Sequence, residues 1–167
     1  MADDSRGSVY ADFMQDQLAA EETRKNSLEQ RGLAVITSCG ALAAFGVGAL
    51  ALFRQRDAIP LSAAAVCLLV GGAVTLVLGA IGGLGVNAPL RHRSANPLVL
   101  ADTMREHWED DDATARARVT ATRARLLESL RRANDRRALV LLSAMTAEAL
   151  GVAMLAATIS VVAIGTL

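Results

Sequence analysis

Twenty-two consecutive residues, 32–53, carry no charge. At about 1.5 Å per residue, a helix of that length reaches roughly 33 Å, enough to cross a hydrocarbon core of about 30 Å. Two further stretches share the property. Residues 60–90 are uncharged, with the strongest run at 61–86, and 138–167 is apolar apart from Glu148 and scattered Ser and Thr. A soluble bundle of 167 residues has too few layers to hide three helices that are apolar on every side. The sequence therefore predicts an all-α fold, a three-span integral membrane protein with cytoplasmic helical extensions.

Charge becomes informative only when divided along the chain. In total, 17 Lys and Arg balance 17 Asp and Glu. Four of the basic residues precede the first span, two (Arg54 and Arg56) follow it, and eleven, all arginines, fall in 87–137. Lys and Arg mark the cytoplasmic side, so 1–31 and 87–137 are expected inside the cell and the C-terminus outside, in a plasma or bacterial inner membrane. The expected division is a cytoplasmic helical segment at 1–31, spans at 32–53, 60–86 and 138–164, a short external loop at 54–59, a cytoplasmic linker and helical region at 87–137, and an external end at 165–167. Pro60 suits the first turn of the second span, where its missing N–H has no intrahelical partner. The 31 mostly polar residues ahead of the first span include seven acids, which fits a secretory signal peptide poorly and predicts a retained N-terminus.

Outside the spans, Tyr10, Phe13, Met14 and Leu18 recur at helical spacing and predict a helix that runs directly into the first span. A short helix is expected over 98–108. Another is expected to begin after Glu109, Asp110, Asp111 and Asp112, whose charges suit the positive end of a helix. Its apolar points are Val119, Leu126, Leu127 and Leu130, and Glu128 and Arg132 form an i,i+4 pair. No Pro or Gly interrupts 113–150, so this helix is expected to pass unbroken into the third span as a rigid link.

Several residues stand out as candidate sites. Gly71, Thr75, Gly79 and Gly83 recur every fourth residue and mark a stripe where another helix approaches closely, within the subunit or between copies. Ser143, Ala147 and Gly151 form a shorter series of the same kind. Glu148 is the single formal charge within the spans, roughly 16 Å beyond Arg137 along a helix. Charge at that depth is costly. It is expected either to line or gate a pore in an oligomer, where a ring of carboxylates would favour cations or share protons, or to bond to Ser, Thr or backbone groups of a neighbouring helix. Thr37, Ser38, Thr75 and Thr146 are the candidate polar partners. Arg31, Arg131, Arg132, Arg136 and Arg137 are expected at the membrane interface or on a partner, attracted by an anionic cytoplasmic leaflet.

Other chemistries find little support. Cys39 and Cys67 lie in different spans and read as small packing residues, with no disulfide framework. Consecutive aspartates beside His107 and His92 do not create ligand geometry, so no metal or other cofactor is expected. No HExxH, P-loop or GxSxG motif occurs, and the chain is not expected to be an enzyme. The arginines lack a recognisable nucleic-acid motif or an aromatic stacking surface.

The run Glu21-Glu22-Thr23-Arg24-Lys25-Asn26-Ser27-Leu28-Glu29-Gln30-Arg31 entering the first span, with Asn134-Asp135-Arg136-Arg137-Ala138 entering the third, resembles small bacterial anti-phage membrane effectors, namely the Pycsar transmembrane effector group and related two- or three-span effectors. That resemblance implies cytoplasmic helices that sense or transmit an infection signal and oligomerised spans that then impair the membrane. The chain departs from a complete sensor in lacking a distinct cyclic-nucleotide domain, so the expectation extends to a cytoplasmic activating protein. The alternative is a non-conducting anchor that recruits a soluble assembly through 10–31 and 113–137.

Overall fold

The computed structural model describes residues 7–56, 62–89 and 97–165, apart from the side chains of 50, 52–56, 97–100 and 164–165. Within them the regular structure is entirely helical: α1 (Ser8–Arg56), α2 (Ala63–Asn87), α3 (Pro97–Glu106) and α4 (Asp112–Gly165). Helices α1, α2 and α4 are each long and apolar enough to cross a membrane, and the chain is an all-α, three-span membrane protein.

The boundaries differ from expectation in three places. Helix α1 runs on to Arg56, so the first half of the expected 54–59 loop is helical. Helix α2 begins at Ala63, where Ser62 caps it by accepting the Ala65 N–H at 3.2 Å. A side-chain cap satisfies an orphan donor that proline at the first turn merely lacks. Helix α3 stops at Glu106 because His107, Trp108 and Glu109 form a turn that opens the acidic cluster. The rest of that loop, Pro60, the linker residues Arg91, His92, Arg93 and Asn96, and 166–167 lie outside the described residues.

The chain divides into two compact units: Met1–Ser27 with Pro89–Arg136, and Leu28–Ala88 with Arg137–Leu167. In the first, the polar unit, α1 turns Ala11, Met14, Leu18, Glu21 and Lys25 inward, while α4 turns Thr120, Arg123, Leu127, Leu130 and Asn134 inward. These positions alternate by three and four residues, the spacing of a coiled-coil seam. The pairing is parallel, because contacts advance together along both helices: Arg123 Nη1 donates to the Ala11 carbonyl at 3.4 Å, Arg131 Nη2 to Gln17 Oε1 at 2.7 Å, and Arg24 Nη2 to Asp135 Oδ1 at 3.0 Å. Sequence spacing assigned Tyr10 and Phe13 to the apolar side, yet they are 73% and 57% exposed. Met14 and Leu18 take the seam instead.

The second, span unit is a three-helix arrangement. Its core is Leu28, Val35, Cys39, Leu76, Val86, Leu141 and Ala144. The same alternation continues through Gly32, Val35, Cys39 and Leu42 on α1 and through Arg137, Leu141, Ala144, Glu148, Gly151, Leu155 and Thr158 on α4. Helix α2 runs antiparallel to both: its Gly83 meets Gly32 and Ile36, its Gly79 meets Cys39 and Ala144, and its Gly72 meets Gly151 and Leu155. Lipid is as apolar as these side chains, so close contact rather than exclusion of water holds such helices together.

Candidate intramembrane site

Glycine sets how closely the helices approach. A Cβ on Gly83 would lie 2.7 Å from the Gly32 carbonyl oxygen and 2.9 Å from Ile36 Cγ1. On Gly151 it would lie 2.8 Å from Leu76 Cδ2 and 3.0 Å from Thr75 Oγ1. The stripe at Gly71, Thr75, Gly79 and Gly83 is thus occupied within the subunit. It serves two neighbours, with Gly71 against Met154 and Gly79 against Ala144 on α4, and Gly83 against α1. Spacing by four overshoots a full turn by about 40° at each step, so such a stripe winds from one partner to the next. The same drift breaks up the series on α4. Gly151 is buried and Ala147 half-buried, but Ser143 is exposed and donates to its own Val140 carbonyl. Gly72 and Gly82, which the four-residue spacing passes over, make contacts as close as the stripe itself.

Glu148 stands half-buried in the α4 seam between Ala144 and Gly151, and its backbone nitrogen is 3.4 Å from where a Gly79 Cβ would be. Its carboxyl forms no hydrogen bond or ion pair among the described residues, and its oxygens are not among the polar atoms the helices enclose. The expected hydroxyl partners are committed elsewhere. Thr37 donates to Leu33 O, Ser38 to Ala34 O and Val35 O, Thr75 to Gly71 O and Gly72 O, and Thr146 to Leu142 O. A hydroxyl on a membrane helix that donates to its own preceding turn needs no neighbour, so these residues leave Glu148 unserved. Two to four turns further along α4, Leu155, Thr158, Ile159 and Val162 line, with Gly46, Ala49 and Leu69, a cavity of about 30 Å³, room for a methyl group or one water.

The arginines separate into engaged and free. Arg137 is 3% exposed, with Nη1 3.1 Å from Glu29 Oε1. The geometry is that of an ion pair without an aligned hydrogen bond, leaving Arg137 Nε and Nη1 without acceptors. A guanidinium so deeply enclosed is not presented to lipid headgroups, contrary to the sequence expectation. Arg131 is drawn into the polar unit by Glu21 and Gln17, and Arg132 pairs with Glu128 one turn earlier. Arg31 and Arg136 remain exposed without ion pairs among the described residues. Sequence spacing gave no hint of Asn134, which is fully buried and donates from Nδ2 to the Glu21 carbonyl and to Glu21 Oε2, both at 2.9 Å. A buried asparagine in a coiled-coil seam fixes register at some cost in stability.

At the start of α4, Asp111 accepts the Thr114 N–H at 3.4 Å. The Thr114 hydroxyl, and then its N–H, hold the Asp111 carboxyl below its ordinary value. Asp110 instead pairs with Arg118 at 3.0 Å and Asp112 with Arg116 at 3.8 Å. Among the described residues no group of three or more His, Cys, Asp or Glu is placed to hold a metal. No family model, curated protein or solved structure matches the chain.

Proposed function

We propose that the protein is an oligomeric membrane effector that, on a cytoplasmic signal, perturbs membrane integrity or ion permeability. The observation that carries this reading is Glu148, a carboxyl at mid-span depth in a helix seam with no partner among the described residues. An unpartnered polar group in such a place costs several kcal/mol by the usual transfer scales. The helices of one copy do not enclose its carboxyl oxygens, so that cost is relieved by a neighbouring copy or by water admitted between copies, which supports an oligomeric assembly. The parallel run of α1 and α4 in the span unit, with α2 reversed, supports three alternating crossings. The arginine count places 1–31 and 87–137 in the cytoplasm on this reading. Exposed Arg31 and Arg136 are then the groups that meet an anionic leaflet. The resemblance to anti-phage effectors makes infection the signal and a cytoplasmic protein its carrier.

A second reading, a non-conducting anchor, is favoured by one observation: Tyr10, Phe13 and Trp108 are exposed outside the span unit and offer apolar contacts to a soluble partner. Inducible expression, followed by growth, membrane potential and dye entry, separates the two. The effector reading expects depolarisation that Glu148→Gln reduces at least tenfold while expression and oligomer size are kept. Full activity in Glu148→Gln and Glu148→Ala removes the residue from the mechanism. An intact membrane in every activated state, with partner recruitment retained, leaves the anchor.

A further inference from the structure

The polar unit carries two outward faces of opposite charge at one height. On α1, Val9 and Phe13 are 73% and 57% exposed, and between and beyond them Asp12 and Asp16 are exposed without an ion pair or hydrogen bond among the described residues. On α4, Arg125 is exposed and equally without a partner. The hydrogen bond from Arg123 to Ala11 sets the register between the helices, so Arg125 lies level with Phe13 and about one residue from the height of Asp12. Phe13 and Arg125 each sit two residues, about 200°, past a seam residue. They therefore occupy opposite outer sides of the helix pair and cannot meet within one copy.

We propose that these faces meet between copies: the outer face of α1 in one subunit docks on the outer face of α4 in the next, with Arg125 seated over the Phe13 ring between Asp12 and Asp16. This rests on the oligomeric reading above and names its interface. Copies that share a bilayer in one orientation are related by rotation about the membrane normal, so equivalent residues keep one depth. Two different faces joined head to tail make a heterologous contact, which generates a ring where the rotation closes. A guanidinium over an aromatic face, flanked by carboxylates, joins cation–π attraction to charge pairing. Because the charges are exposed, the contact weakens as salt rises.

The test uses two differently tagged full-length chains co-expressed in membranes, one with Val9→Cys and the other with Thr122→Cys, oxidised beside the unsubstituted chain as a control for Cys39 and Cys67. The expected result is a cross-tag disulfide dimer only when both substitutions are present. In parallel, Asp12→Arg with Asp16→Arg is expected to lower cross-tag co-purification at least tenfold at low salt, and adding Arg125→Glu is expected to restore it. A disulfide formed by Val9→Cys chains alone would mean face-to-face pairing and overturn the proposal. An intact oligomer with neither disulfide nor charge effect overturns this interface and leaves the oligomeric reading standing, whereas a monomer in the activated membrane overturns both.

Discussion

The Gly83 contact offers the sharpest test of how the spans meet. In Gly83→Ala the new methyl carbon falls 2.7 Å from the Gly32 carbonyl oxygen, about 0.3 Å inside the closest approach that Cβ atoms make, with Ile36 Cγ1 at 2.9 Å on its other side. One obstacle is backbone, so no rotamer change relieves the clash and the helices must part. Gly40 is the matched control: it lies on the same pair of helices, yet nothing is within 4 Å of its Cβ position. Both substitutions change a helical glycine to alanine, and the propensity gain of about 1 kcal/mol is common to both. Their difference isolates the clash, and overpacking costs about 1–3 kcal/mol. That corresponds to roughly 5- to 150-fold in an unfolding equilibrium constant. Reversible unfolding in mixed detergent, extrapolated linearly for both variants, measures it. Equal stabilities for the two variants would refute the close approach of α1 and α2.

Three further outcomes are expected. Glu29→Leu leaves the enclosed Arg137 guanidinium without its counter-charge and should cost about 3 kcal/mol, with most of it recovered in the double variant Arg137→Met, Glu29→Leu; a thermodynamic cycle in detergent gives the coupling. Asn134→Ala removes both donors to Glu21 and should lower stability by about 1–3 kcal/mol, read as loss of amide protection in the polar unit. Because the folded Asp111 pKa lies below its unfolded value, its contribution to holding the start of α4 is fully present above the unfolded value and is lost as pH falls through the lower folded one. The Thr114 amide resonance should follow that titration with a midpoint below the ordinary aspartate value, and in Asp111→Asn the transition should vanish.

The spans and both long helices were legible in the sequence, because an uncharged run of this length has few folds open to it. The seam was not. In a soluble helix, water enforces a contrast between buried and exposed positions, but lipid accepts Leu139 and Leu142 on the outside as readily as Leu141 within. The inward positions of the spans are therefore distinguished by smallness, as at Gly32, Ala144 and Gly151, or by unexpected polarity, as at Glu148 and Thr158. Outside the spans the pattern is hidden for the opposite reason. Glu21 and Asn134 sit inward bonded to each other, Arg123 donates to the Ala11 carbonyl, and Lys25 buries a long aliphatic stem, so a search for apolar repeats passes over them and settles on Tyr10 and Phe13. The four-residue glycine stripe marked true contacts, but the winding of the helix assigned them to two partners.

Every hydroxyl hydrogen bond found within the spans closes on its own helix. Helix to helix, the span unit has the Glu29 and Arg137 ion pair, whereas several hydrogen bonds tie the polar unit. The two units thus obey different solvents. Ionic strength and denaturant act on the polar ties, while bilayer thickness, lateral pressure and the fluidity of the acyl chains act on the fit of the spans. A change in lipid composition can therefore let the span helices slide or turn against one another while every hydroxyl bond described above stays closed on its own helix.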